Sequence, residues 1–216
     1  MPRKNIKELV GKPLIQYTIE AALAADILTE IMVSTEDEEI AATARQLGAA
    51  VPFLRPIELA SDKSPTIDAV VHTLETYRDA GQEFDAVCLL QPTNPLRNAE
   101  SIRRSIQQFI DAGADSLISV RPVPHEFNPH WIFLPDDEDQ FLSIATGEAT
   151  IIPRRQELPP AYYRDGAIYI TRSEVILQDK SLYGQRIAFI NLAGEPHVNI
   201  DTPADWEQAE QMLTSS

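Results

Sequence analysis

Apolar positions recur along the chain at two spacings. Leu14, Ile15, Ile19, Ala22 and Leu23 share one helical face, opened by Pro13. Ile67, Val70, Val71 and Leu74 do the same between Pro65 and about Ala80, with a cap at Ser64 or Asp62. Ile102, Ile106, Phe109 and Ile110 form another such stripe after a cap at Asn98 or Asn94. A further helix is predicted after Ser34 or Thr35, because Glu36, Asp37, Glu38 and Glu39 place negative charge at the positive end of its dipole; Gly48 ends it. Between these stripes lie short apolar runs at Glu30–Ser34, Val87–Leu90, Asp115–Val120, Gly166–Ile170 and Arg186–Ile190, which predict strands. Thr202, Pro203 and Asp205 start a last helix. Strands alternating with helices imply an α/β fold in three layers around a mostly parallel central sheet.

The run Val87 to Leu90 is apolar without alternation, so it reads as a strand buried on both faces. It breaks into Gln91-Pro92-Thr93-Asn94-Pro95-Leu96-Arg97, a polar turn stiffened by two prolines. Loops at the C-terminal ends of such strands form the ligand crevice of open α/β sheets, although a rigid connection with exposed polar groups fits the pattern equally well. From Arg121 to about 165 the texture changes. Prolines, the acidic patch 136–139 and the aromatics Phe127, Trp131, Phe133 and Phe141 predict short strands and turns, an arm inserted into one domain spanning 1–216. Its aromatics suit either a partner surface or a small core of its own.

Composition removes several function classes. A net charge of −15 leaves no basic stripe for a nucleic acid, yet a nucleotide needs only a few local cations. Cys88 is the only cysteine, so no intrachain disulfide forms and a reducing cytoplasm fits. No apolar run approaches a membrane span, and the N-terminus does not resemble a secretion signal, so neither membrane nor export is expected.

Candidate chemistry falls into clusters. Arg3-Lys4-Asn5, Arg55 with Ser61, Ser64 and Thr66, and Gln91 to Arg97 offer charge-assisted donors for phosphate and amides or hydroxyls for a base or sugar. Arg154-Arg155-Gln156 concentrates positive charge for an anionic ligand or for the acidic patch. Asn199-Ile200-Asp201 would put two oxygen donors on one face of a strand, and Asp201 suits Mg²⁺, which takes one or two carboxylates and completes its shell from water and phosphate. An Asp before Thr-Pro also serves as a turn residue or cap. The four histidines lack ligand spacing, which disfavours zinc; His72 is read as a surface residue without a role.

These pieces, in the order Pro2-Arg3-Lys4-Asn5-Ile6, Gly11-Lys12-Pro13-Leu14-Ile15, Val33 to Ala41, Arg55 to Asp62, Leu89-Leu90-Gln91-Pro92-Thr93-Asn94-Pro95-Leu96-Arg97, Arg155-Gln156, Gly166-Ala167-Ile168-Tyr169 and Asn199 to Trp206, resemble the acylneuraminate cytidylyltransferases over essentially the whole chain. The resemblance implies a nucleotidyltransferase-type fold with a small dimerisation arm, a homodimer, and Mg²⁺-dependent transfer of CMP from CTP to an acidic nine-carbon sugar such as sialic or legionaminic acid. It implies catalytic roles for Lys4 and Asp201. Nucleotide contacts would come from Lys4, Asn5, Arg55, Thr66, Gln91, Thr93 and Asn94. Sugar contacts would come from Gln91, Arg155 and Tyr169, and the metal would be held by Asp201 with Asn199.

Three departures modify that expectation. The family's opening strand and glycine- and serine-rich loop do not precede Pro2, which predicts a weakened triphosphate cradle and impaired activity. Asn199 stands where an aspartate is usual, predicting weaker metal binding. Asp165 stands where an asparagine is common, which would add negative charge beside an acidic substrate. The alternatives are CTP-dependent activation of 3-deoxy-manno-octulosonate and a non-catalytic nucleotide-sugar binding protein.

Overall fold

The computed structural model describes residues 3–61, 64–135 and 141–215. The chain opens on a turn of 3-10 helix, Lys4–Ile6, and a two-residue hairpin, β1 (Glu8–Leu9) with β2 (Lys12–Pro13). Helices α1 (Leu14–Ala25), α2 (Glu38–Gln46) and α3 (Thr66–Asp79) precede strand β3 (Ala86–Leu89). Then come α4 (Ala99–Ala112), β4 (Ser116–Pro122), the short strands β5 (Phe133–Pro135) and β6 (Leu142–Ile144), β7 (Tyr162–Arg172), α5 (Ser173–Asp179), β8 (Ile187–Asn191) and α6 (Pro203–Thr214).

The central sheet has the order β3-β7-β4-β8. β4 and β8 are parallel, whereas the eleven-residue β7 runs antiparallel between β3 and β4. β3, β4 and β8 therefore point one way, as the alternating pattern predicts, and β7 makes the sheet mixed. Nothing in a buried strand's apolarity encodes its direction.

Both faces of the sheet are covered. Ile102 and Phe109 of α4 and Ala21 and Ala25 of α1 pack on Leu117, Ile168, Ile170 and Ile190. On the other face Val70, Val71 and Leu74 of α3 and Ile176 of α5 pack against Val87 and Leu89. These two cores make the three layers. β3 meets both, with Ala86 and Cys88 on the first face, but its residues are only partly buried because β7 is its one ladder partner among the described residues. Burial still pushes the Cys88 thiol up to about 12, so it carries no nucleophilic role at neutral pH.

Several local expectations are corrected. The run Glu30–Ser34 does not join the sheet; Met32 forms one parallel bridge to Ala50, closed by Ala50 N–H to Ile31 O and Val33 N–H to Ala50 O. Neither Ser34 nor Thr35 caps α2. Asp37 does so, its Oδ1 accepting from the backbone of Glu39 (2.7 Å) and Ile40 (3.2 Å), while Thr35 Oγ1 accepts from Asp37 N. Of the two caps foreseen for α3, Asp62 lies outside the described residues, and Pro65 occupies the position without a side-chain bond. Ile110 is exposed at the end of α4, whose cap Asn98 accepts from Ser101 as foreseen. His72 is half-buried and packs edge-on against Phe53, with Nδ1 buried and unpartnered. The acidic patch 136–139 lies outside the described residues.

The last helix begins as its sequence dictates. Thr202 Oγ1 accepts from Asp205 N, and Asp205 Oδ2 accepts from Thr202 N (2.6 Å), Thr202 Oγ1 (2.8 Å) and Asp201 N (3.0 Å). These bonds to Thr202 and Asp201 hold the Asp205 carboxyl below its ordinary value of 3.8. A depressed folded-state value means stability present above the unfolded value and lost as pH falls through the folded one. The Asp205→Ala protein is expected to melt below wild type at pH 7, with the gap narrowing as pH drops beneath 3.8 in paired thermal scans. A gap independent of pH would show that the charge contributes nothing.

Candidate active site at the strand tips

Three segments far apart in sequence converge beyond the C-terminal end of β3. Lys4, on the first turn, donates from Nζ to the Ile200 carbonyl at 2.6 Å and lies 3.7 Å from Asp201 Oδ1. Ile200 N in turn donates to the Thr93 carbonyl at 2.9 Å, tying 198–201 to the loop 91–97. Asn94 Nδ2 and His197 Nδ1 are 3.0 Å apart, a second tie. The segment Val198–Asp201 is not in a strand, so its placement comes from these bonds and from burial of Val198 and Ile200 against Leu9, Leu14 and Trp206. Lys4 and Asp201 are thus brought together. Asn199 donates from Nδ2 to Asp201 Oδ2 at 2.7 Å, and both residues are exposed.

The loop itself is held from beneath. Arg97 is 7% exposed and donates from Nη2 to the Gln91 carbonyl (2.5 Å) and from Nη1 to Thr18 Oγ1 (3.5 Å). Burial pulls its guanidinium down to about 10, so it stays charged at neutral pH. It supports the loop instead of offering itself to a ligand. Thr93 Oγ1, Asn94 Oδ1 and Arg97 Nε are buried without a hydrogen-bond partner, in a loop whose Asn94 is only 3% exposed. The unpaired oxygens of Thr93 and Asn94 mark places where a ligand's hydroxyls or amides can be received.

Arg55 and Thr66 lie to the side, without a hydrogen bond or ion pair to the Lys4–Asp201 group. Arg55 Nη2 is bound to Glu36 Oε2 at 2.5 Å and its backbone N to the Thr35 carbonyl at 2.8 Å; Thr66 opens α3 and is exposed. Glu39, on the first turn of α2, pairs with Arg3, and Glu36, just before the cap of α2, pairs with Arg55. The turn leading into α2 and its first turn together hold the segments carrying Lys4 and Arg55. Asn5 is half-buried beside Lys4. Arg155 is exposed on a 3-10 turn, and its neighbour Arg154 pairs with Glu157 at 3.7 Å. Tyr169 is buried in β7 with its ring edge against Tyr183, and burial raises its phenol.

Asp165 corrects an expectation. Its side chain is 0% exposed, and its charge is absorbed internally: Oδ1 accepts from Ser119 Oγ (2.5 Å) and Ala167 N (3.0 Å), and Oδ2 from Arg121 Nε (3.3 Å). It does not present negative charge to a ligand. His197 and Arg121 carry no motif that marks them; only the fold brings them here. Burial first, then the nearby charge of Arg121, hold His197 below its ordinary value, so its imidazole is neutral at pH 7.

As a metal locus the tip fits Mg²⁺ in part. The described residues contain no cluster of three His, Cys, Asp or Glu that could hold an ion, but one exposed carboxylate beside an amide is a donor set that Mg²⁺ completes with water and phosphate.

A three-layer α/β sheet with lysine, carboxylate and a polar loop converging at its strand tips has the ligand-binding architecture of open α/β enzymes. Residues 1–214 match the family model described as Cytidylyltransferase, and the chain belongs to that family as a nucleotidyltransferase of the N-acylneuraminate cytidylyltransferase type. It is 36% identical to a CMP-N,N'-diacetyllegionaminic acid synthase of Legionella pneumophila over 99% of this chain and 90% of the relative. It is 32% identical to a pseudaminic acid cytidylyltransferase of Campylobacter jejuni over 97% of this chain and 89% of the relative. In fold it resembles a CMP:2-keto-3-deoxy-manno-octonic acid synthetase complexed with CTP, with a TM-score of 0.74 and 18% identity over all of this chain and 93% of the other.

Proposed function

We propose that the protein transfers CMP from CTP to an acidic nine-carbon sugar, releasing pyrophosphate. The observation that carries this reading is the meeting of Lys4 and Asp201 beside the polar loop 91–97, in a chain whose relatives are named for making CMP-activated sugar acids. The sugar's anomeric hydroxyl attacks the α-phosphorus; that O–P bond forms, the bond to pyrophosphate breaks, and the hydroxyl proton passes to solvent. Lys4 places its ammonium against the phosphate oxygens. Asn5, Arg55 and Thr66 line the nucleotide side, and Thr93 and Asn94 offer buried polar atoms to it. Gln91 lies between nucleotide and sugar, with Arg155 and Tyr169 on the sugar side.

Asp201, with Asn199 beside it, would hold Mg²⁺, which when bound neutralises charge on the triphosphate. Asn199 occupies Asp201 Oδ2 with a donated bond, which supports weaker metal binding than a second carboxylate would give. The arm about 121–165 is proposed as the homodimer contact, supported by exposed Phe127, Phe133, Leu134, Phe141 and Leu142. We place the reaction in the cytoplasm; no helix among the described residues is long and apolar enough to cross a membrane.

The test is pyrophosphate release from CTP with legionaminic, pseudaminic and N-acetylneuraminic acids. Release with at least one acid and Mg²⁺, and none without the acid, is expected. Binding of CTP with no release under any acid would instead identify a non-catalytic binding protein.

A further inference from the structure

Arg121 sits near the end of β4 with its side chain 14% exposed, so water covers little of its charge. Its partner Asp165 receives only the Nε, and the rest of that carboxylate is committed to Ser119 and Ala167. The two Nη nitrogens, the fork that matches a carboxylate, have no hydrogen-bond acceptor among the described residues. Arg121 stands at the C-terminal end of β4, which points the same way as β3, so it lies at the end of the sheet from which the loop 91–97 leaves. Its charge acts on His197, which is paired to Asn94 of that loop. Arg97 and Arg121 bring two positive charges to this locus against the single carboxylate of Asp165, which is coupled to Arg97 as well. A nearly buried cation with an open fork, at the same end of the sheet as a loop that carries the unpartnered buried Oδ1 of Asn94, calls for a small anion flanked by hydroxyl groups.

We propose that Arg121 is a specificity-determining residue that receives the carboxylate of the acidic sugar, with Asp165 as the positioning residue that fixes its guanidinium from behind. The proposal rests on the reading above for the identity of the substrate. It explains why Asp165 is compatible with an acidic substrate: the carboxylate spends its charge on orienting a cation and leaves one positive charge uncompensated at the site. A phosphate of CTP is the other anion available, and the two sources separate experimentally.

The experiment uses the full chain and three proteins: wild type, Arg121→Gln and Arg121→Lys. Each is assayed with the sugar acid and with its neutral methyl ester, and binding of CTP and of the acid is measured separately by calorimetry. Wild type is expected to prefer the acid over the ester by about 100-fold in kcat/KM, in line with the loss of one bidentate charge-assisted contact. In Arg121→Gln that preference should fall to about 3-fold or less, through a higher KM for the acid, with the KM for CTP unchanged. Arg121→Lys keeps the charge without the fork and should fall between, and it serves as the informative variant if Arg121→Gln does not fold. An acid-over-ester preference retained in both variants overturns the proposal, as does a rise in the CTP KM in place of the acid KM. If wild type releases no pyrophosphate with any acid, the functional reading fails on its own. Calorimetry then still decides for Arg121: acid binding lost in the variants supports its role, and unchanged binding removes it.

Discussion

Asp201→Ala is expected to lower Mg²⁺-dependent pyrophosphate release by about 10²–10³-fold while leaving the thermal midpoint within a few degrees of wild type. The stability expectation follows from exposure: the Asp201 side chain is 64% exposed, and its contact with Lys4 at 3.7 Å is a partly solvated pair of the kind that contributes little to folding. The activity expectation follows from position. Asp201 is the one carboxylate within ion-pair distance of Lys4 among the described residues, and without it the proposed site loses the carboxylate that would hold Mg²⁺ against the triphosphate. The measurement is turnover against Mg²⁺ concentration for both proteins. Turnover that survives in Asp201→Ala with the same Mg²⁺ dependence would return Asp201 to the role of a turn residue before α6.

Asp165→Ala has the opposite signature, a large loss of stability. Its carboxylate is fully buried and accepts three hydrogen bonds, so removing it strands the Arg121 Nε and the Ala167 N–H away from water and leaves the Ser119 hydroxyl only the Ile168 carbonyl as an acceptor. Breaking one side of a buried ion pair costs about 3–5 kcal/mol, which for a chain of this size lowers the midpoint by roughly 6–20 °C. Removing both charges in Asp165→Ala with Arg121→Met should recover part of that loss, because no unpaired cation remains. Denaturant unfolding of the single and double variants reads this directly. A single variant as stable as wild type would mean that water or a neighbouring group already satisfies Arg121.

Much of the fold is legible along the chain because local patterns carry it. Pro13 and the stripe Leu14, Ile15, Ile19 and Ala22 specify α1, although Leu23 of the same predicted stripe is exposed; Asn98 caps α4, and Thr202 with Asp205 builds the capping box of α6. Each uses groups of which successive members lie no more than four residues apart. The misses share the opposite property. The direction of β7, the failure of Glu30–Ser34 to join the sheet and the burial of His72 against Phe53 depend on partners that the local pattern does not name. α5 was not foreseen at all; it spans only seven residues, with Ser173 and Ile176 as its buried contacts.

The site divides in the same way. Residue types and motif order alone determine the family, the stiff loop from Gln91 to Arg97, and Lys4 and Asp201 as its polar counterparts, since short loops and turns are written in adjacent residues. Only the tertiary structure decided that Lys4 reaches the Ile200 carbonyl across the whole chain, that Arg97 lies under the loop, and that Asp165 turns inward to hold Arg121. A charged side chain has the same sequence signature whether water, a buried partner or a ligand neutralises it. Which of the three applies is set by the dielectric and the neighbours that folding brings to it.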